Sequence, residues 1–233
     1  MDRNSNADGA PAGTSGIIGV IKTKMVRELV LATRNRDKGK ELAALLSDLR
    51  IRINTLDEFP EVPDVIEDGE TCEANAVKKA RAIAEATGRL AVADDTGLEV
   101  DALGGRPGVF AARYAGEGAS YEDNWRKLLH ELAGVPRERR TARFITVAAV
   151  AFPADGVQVA RGVLEGLIAE RPSGTQGFGY DPVFFVPELG KTLAQLSPDQ
   201  KNCISHRAKA FAQVREILKV LSSECSVLKF SNA

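Results

Sequence analysis

What this chain is short of narrows its function before any motif is read. It has three cysteines, Cys72, Cys203 and Cys225, widely separated and with no Cys-x-x-Cys pair. An odd, dispersed set of this kind describes reduced thiols, and excludes a disulfide framework or a cysteine-built zinc site. No stretch approaches the roughly 20 consecutive apolar residues of a membrane-spanning helix. The polar opening MDRNSNADGAPAGTSG is followed only by the short IIGVI, which is too brief for the apolar core of a secretory signal. Neither sign of charge is in excess, with Lys plus Arg at 31, Asp plus Glu at 32 and a net charge of −1. That balance marks no polyanion-binding surface, so neither nucleic acid nor a membrane is expected as partner. The Gly-x-x-x-x-Gly-Lys spacing of a P-loop is also missing. With its cysteines read as reduced thiols, the protein is expected to be cytoplasmic.

The remainder is ordinary globular sequence, long enough at 233 residues for a sizeable core. Residues 1–24 read as a disordered extension, 25–224 as one folded domain beginning naturally at Met25, and 225–233 as a flexible tail. RELVLAT (27–33) has the length of a buried strand, and Leu42, Leu45, Leu46 and Leu49 then recur on one face of a helix. IRIN suggests a second strand. DEFPEVPDVIEDG reads as a loop because its two prolines interrupt any period. TCEANAVKKARAIAEATG predicts a helix capped by Thr71 and stopped by Gly88. LAVA returns as a strand, and SYEDNWRKLLHELAG predicts a helix with Ser120 and Asp123 at capping-box spacing. RFITVAAVAF and VQVARGVLEGLIAE flank a hairpin turn at Asp155-Gly156. In SHRAKAFAQVREILKVLSS, Ser205 caps a helix carrying Ala208, Phe211, Val214, Ile217, Leu218 and Leu221 on one stripe. Early strand–helix alternation with a late hairpin predicts an α/β fold with a mixed sheet.

Four stretches are capable of chemistry. TRNRDK (33–38) lies between a strand end and a helix start, where free N–H groups and the dipole suit phosphate. The bland alternative is an ordinary loop with solvated charges. AVADDTG sets Asp94 and Asp95 side by side at the expected end of a strand. One or two carboxylates with phosphate oxygens suit Mg²⁺, and Thr96 and Gly97 would let a ligand approach the backbone; the alternative is an Asx-type turn. SGTQGFGYDP offers Phe178, Tyr180 and Asp181 for stacking on a base and accepting its N–H, or as a loop plug. SHRAKA puts His206 and Arg207 at the positive end of a helix, unfavourable unless an anionic or keto-bearing ligand compensates. His130, mid-helix, reads as structural.

In order and spacing, LATRNRDKGKEL, NAVKKARA, AVADDTGLEVDALGGRPGVFAARYAG, GFGYDPVF and SHRAKA resemble the inosine triphosphatase family, the non-canonical purine nucleoside triphosphate pyrophosphatases. The resemblance spans about residues 26–222. It implies an elongated, two-lobed α/β fold with a long mixed β-sheet flanked by helices, a homodimer, and Mg²⁺-dependent hydrolysis of (d)ITP and XTP to monophosphate and pyrophosphate. Carried over by motif, Thr33, Arg34, Asn35, Arg36, Asp37 and Lys38 would hold the triphosphate with Lys79. Asp95 would be metal ligand and base, and Thr96 would contact substrate. Phe178, Gly179, Tyr180 and Asp181 would receive base and sugar, while Lys201, His206 and Arg207 would close over the nucleotide. CEANA (72–76) departs from the family's Phe-Glu-Glu-Asn-Ala, with Ala74 in place of a carboxylate. Glu67 is therefore the expected second metal-associated acid, with Glu73 as fallback.

Overall fold

A computed structural model describes residues 28–153 and 156–227, with side chains through Leu221. The expected N-terminal extension and the turn residue Asp155 lie outside these residues. Strand β1 (Glu28–Leu31) leads into helix α1 (Arg36–Leu45), and β2 (Arg52–Thr55) follows. Helix α2 (Cys72–Thr87) starts on a Thr71 side-chain cap and ends at Gly88 in the left-handed region, as its sequence predicts. Then come β3 (Leu90–Val100), the short β4 (Pro107–Gly108), α3 (Tyr121–Glu131), β5 (Thr141–Ala151) and β6 (Val157–Ile168). Two short strands, β7 (Phe184–Val186) and β8 (Lys191–Thr192), precede α4 (Pro198–Ile204) and α5 (His206–Val227). Helix α5 runs past residue 224, so residues 225–227 are helical where a tail was expected.

These strands form one mixed sheet in the order β2-β1-β3-β5-β6-β7-β8, with β4 paired to β3. β2, β1 and β3 run parallel, as strand–helix–strand crossovers require, and the long β5–β6 hairpin adds antiparallel partners. The α/β class and the mixed sheet flanked by helices are as the sequence implied. No helix among the described residues is long and apolar enough to cross a membrane.

Side-chain alternation along β3 sorts the core. Leu90 and Val92 pack with α1 and α5 residues such as Leu42 and Phe211. Ala91 and Ala93 face the opposite way, toward Ala76, Ala80 and Ile83 of α2. Beyond the acids, Leu98 and Val100 join a third cluster with Leu128, Phe144, Phe184 and Leu193. Asp94 and Asp95 thus fall where three apolar clusters meet. One expectation is corrected here: the acids do not end the strand. β3 continues through Val100 because Thr96 to Val100 find antiparallel partners on β5, which excludes the Asx turn.

On α5, Ala210, Phe211, Val214 and Leu218 form the fully buried face, while Ala208, Ile217 and Leu221 lie beside it half-exposed. This helix packs on β6 so closely at Gly162 that a Cβ there would stand 2.1 Å from the His206 carbonyl oxygen and 2.5 Å from the Ala210 nitrogen. Backbone cannot yield as a side chain tip does. We expect Gly162→Ala to destabilise the protein by about 1–3 kcal/mol, the usual cost of overpacking. Urea unfolding measures it, and an unchanged midpoint would contradict this packing.

Candidate active site

A cleft of about 410 Å³ opens where the loop after β1, the middle of β3, the loop before α2, the glycine-rich loop and the start of α5 converge. Asp95 and Glu67 lie on its wall with Lys38, Lys79 and Thr96. Alternation sends the two adjacent acids to opposite faces. Asp94 is directed toward α1 and α5, where Arg207 Nε donates to it at 3.2 Å and Lys38 Nζ lies at 3.5 Å. Burial alone would raise the Asp94 pKa, but Lys38, Arg207 and Lys79 outweigh it and hold the carboxyl well below its ordinary range. Asp95 faces α2, where Asn75 Nδ2 donates to Oδ2 at 3.0 Å; its other oxygen accepts from the Thr96 N–H at 2.9 Å. Burial raises the Asp95 pKa, Lys38 and Lys79 oppose this, and the neighbouring Glu67 carboxylate adds to the rise.

Lys79 joins the parts. Its ammonium donates to the Asp94 carbonyl at 2.7 Å and pairs with Glu67 at 3.0 Å. Glu73 is exposed on α2 and absent from the lining, so of the two expected acids the structure brings Glu67 to Asp95. Two carboxylates of hard oxygen donors fit a divalent cation that takes its remaining ligands from phosphate and water. Among the described residues no group of three or more His, Cys, Asp or Glu forms a complete protein-built metal site. Gly97 serves packing, not a ligand: a Cβ on it would stand 3.1 Å from the Gly108 carbonyl and 3.2 Å from Cys72 Sγ.

The turn before α1 is less open than its sequence suggests. Asn35 Oδ1 accepts from the N–H groups of Asp37 and Lys38, and Thr33 Oγ1 from that of Asn35. A phosphate there competes with the helix's own cap. Thr33, Arg34, Asn35 and Lys38 line the cleft, whereas Arg36 and Asp37 are exposed and lie off its lining. The Arg34 guanidinium is bonded to Asp64 and to the Val62 carbonyl.

The glycine-rich loop and α5 bring the other group together. Phe178, Gly179, Tyr180, Asp181, His206 and Arg207 all line the cleft, but not all with free polar atoms. Tyr180 donates its hydroxyl to the Ala111 carbonyl at 2.8 Å. Asp181 Oδ2 accepts from the Phe178 N–H at 2.9 Å and from Lys201 at 2.7 Å, so this oxygen is already engaged within the protein. Lys201 is buried off the lining, held by Asp181 and Glu41. The expected need for an anionic ligand at Arg207 is corrected likewise. Asp94 and Glu41, the latter at 2.9 Å, already balance its charge.

His206 differs. It is 2% exposed, stacks on Phe144 with ring centroids 4.4 Å apart, and has no hydrogen-bond partner for either ring nitrogen among the described residues. Burial, then Arg207 and Lys201, push its pKa well below the ordinary imidazole value, so the ring is neutral. Glu41, Asn75, Tyr121 and Phe144 are participants that motif spacing did not single out. His130 is exposed on α3 and away from the cleft.

The fold is that of an α/β protein with a mixed sheet, and its cleft is lined by Asp95, Glu67, Lys38 and Lys79 together with the aromatics Tyr121, Phe144, Phe178 and Tyr180. The chain belongs to the Ham1 family, whose model matches residues 29–217. It is 52% identical over 191 residues to a dITP/XTP pyrophosphatase of Geobacillus kaustophilus (strain HTA426), covering 82% of this chain and 94% of that one. The solved structure of a HAM1 protein from Coxiella burnetii is similar with a TM-score of 0.76 at 42% identity, over 83% of this chain and 98% of its own. That of the Staphylococcus aureus Ham1 protein gives 0.74 at 41% identity, with the same two coverages.

A buried neutral histidine has a signature in stability. Its folded pKa lies below the unfolded value near ~6.5, so below that pH the unfolded chain binds the extra proton and stability falls. One proton is worth at most about 1.4 kcal/mol per pH unit. Unfolding free energies at about pH 7.5 and 5.5 should therefore drop more for the wild type than for His206→Gln. Equal drops would contradict a neutral, buried ring.

Proposed function

We propose that this protein hydrolyses dITP, ITP and XTP to the nucleoside monophosphate and pyrophosphate, clearing deaminated purines from the cytoplasmic nucleotide pool. The observation that carries the reading is Asp95. It is a buried carboxylate with a raised pKa, oriented by Asn75 and the Thr96 N–H, on the wall of a cleft that also presents Lys38 and Lys79. The dITP/XTP pyrophosphatase names of relatives about half identical to this chain supply the substrate class.

Water attacks the α-phosphorus in line, and pyrophosphate departs. Asp95, oriented by Asn75 and the Thr96 N–H, takes the proton of the attacking water. Lys38, Lys79 and Thr33 face the charge that accumulates on the phosphate oxygens. Asp95 and Glu67 would hold Mg²⁺, which when bound supplies neutralisation of phosphate charge and polarises its oxygens. Without the cation, Glu67 and Asp95 repel an incoming triphosphate, so chelation should suppress turnover. A homodimer belongs to the same reading, and sedimentation measures it directly.

At the base end, the unpartnered His206 and the N–H groups that Arg207 does not spend on Asp94, Glu41 and Thr96 suit an acceptor edge such as a 6-keto group. A 6-amino group there sets donor against donor and leaves buried groups unpaired.

Asp95→Asn should lower kcat by ~10²–10⁴-fold, the range of a lost general base, with the thermal midpoint retained. Near-normal turnover in that variant removes Asp95 from the mechanism. In a panel of ITP, dITP, XTP, GTP and ATP with Mg²⁺, kcat/KM for ITP should exceed that for ATP by on the order of 10²–10⁴. The products should be monophosphate and pyrophosphate; diphosphate with inorganic phosphate would place the cut elsewhere.

A further inference from the structure

Tyr121 is the first residue of α3, 40% exposed at the rim of the cleft it lines. Its two ends touch two different parts of the site. The hydroxyl accepts from Nδ2 of Asn35, the N-cap of α1, at 3.0 Å and donates to Oδ2 of Asp37, in the first turn of that helix, at 3.3 Å. The ring lies 5.7 Å from that of Phe178 in the glycine-rich loop, tilted by 39°. Neither contact is accidental to a loose segment. The start of α3 is fixed by the reciprocal Ser120–Asp123 capping box. One turn on, Asn124 bonds the Ala112 carbonyl and the Ala115 N–H, locking the helix to the chain before it.

On the function proposed above, the triphosphate meets Thr33 and Lys38 at the start of α1, and the base lies beside His206 and Arg207, whose guanidinium sits over the Phe178 ring at 5.1 Å. What connects those two parts in any nucleoside triphosphate is the pentose. A side chain bridging the two protein segments therefore lies alongside the sugar, and a spacing of 5.7 Å leaves no room for a base between the two rings. We propose that Tyr121 is the sugar-facing wall of the cleft, setting affinity for the nucleoside part of the substrate. Its ring covers the C–H face of the pentose, and its hydroxyl, which accepts from Asn35 and donates to Asp37, keeps one lone pair to which a sugar hydroxyl can donate. Burial, the Asp37 carboxylate and its bond to Asp37 keep that phenol protonated, against the opposing influence of Asn35.

A sugar-facing role separates from a merely structural one by using inorganic tripolyphosphate, which has the phosphates but neither sugar nor base. Tyr121→Ala and Tyr121→Phe are compared with the wild type for turnover of ITP and dITP, and for inhibition by tripolyphosphate. Tyr121→Ala should raise KM for both nucleotides about tenfold with kcat within about threefold, while the tripolyphosphate inhibition constant stays within about twofold. Tyr121→Phe retains the ring and should raise KM by less than about threefold. An inhibition constant that rises in parallel with KM overturns the proposal, since Tyr121 would then act on phosphate through Asn35. Unchanged KM in Tyr121→Ala overturns it too. Should Tyr121→Ala not fold, Tyr121→Leu, which keeps apolar bulk and loses the ring, takes its place with the same expected values and the same contradicting ones. A wild type that turns over none of the nucleotides removes the function and this role together, whereas an active wild type with an indifferent variant removes the role alone.

Discussion

Two carboxylates on consecutive residues can both stay buried only if they never face each other. The pleat of β3 meets that constraint by sending Asp94 to one side of the sheet and Asp95 to the other. Each then acquires its own company: Lys38 and Arg207 around Asp94, Asn75, Lys79 and Glu67 around Asp95. The same alternation divides their chemistry. Asp94 is tied down as an anion by cations that outweigh its burial, whereas burial and Glu67 leave Asp95 receptive to a proton. Removing either neighbour set would leave charge uncompensated in the interior, which is costly.

From Asp94 the ion pairs continue without a break through Arg207, Glu41, Lys201 and Asp181 to the Phe178 N–H. This buried chain links α1, β3, α4, α5 and the glycine-rich loop, so the two ends of the cleft are built on one scaffold. It also sorts the charges. Those in the buried chain fix geometry, whereas Lys38, Lys79, Asp95 and Glu67 line the cleft, where their pairs with Asp94 and with one another lie beside an incoming ligand. Buried pairs of this kind are weak as a source of net stability, and their value lies in orientation.

Local signals were legible where a single residue fixes a conformation or a period is long enough to register. Thr71 and Gly88 bracket α2, and Ser120 and Asp123 cap α3; of the leucine stripe expected on α1, Leu42 and Leu45 lie in the helix and Leu46 caps it, whereas Leu49 falls beyond its end. The family motifs also pointed to Asp95, Lys79 and His206, and the missing carboxylate at Ala74 pointed to Glu67; all four line the one cleft. What the sequence could not disclose was which polar atoms are spent on one another. Arg207 and Asp94 are 113 positions apart, and Arg207 and Glu41 are 166 apart, distances at which no spacing rule operates. Asn75 is part of a quoted motif, yet nothing local marks its amide as the group that orients Asp95. The short β7 and β8 carry too few residues for a period to appear.

The proposed role of Asp95 as base depends on where water strikes. Hydrolysis of ITP in water labelled with heavy oxygen, followed by mass spectrometry of both products, reads that position. Attack at the α-phosphorus puts the label in the monophosphate and leaves pyrophosphate unlabelled. Label in pyrophosphate would show attack at the β-phosphorus, and Asp95 would then not be the base acting where this cleft places it.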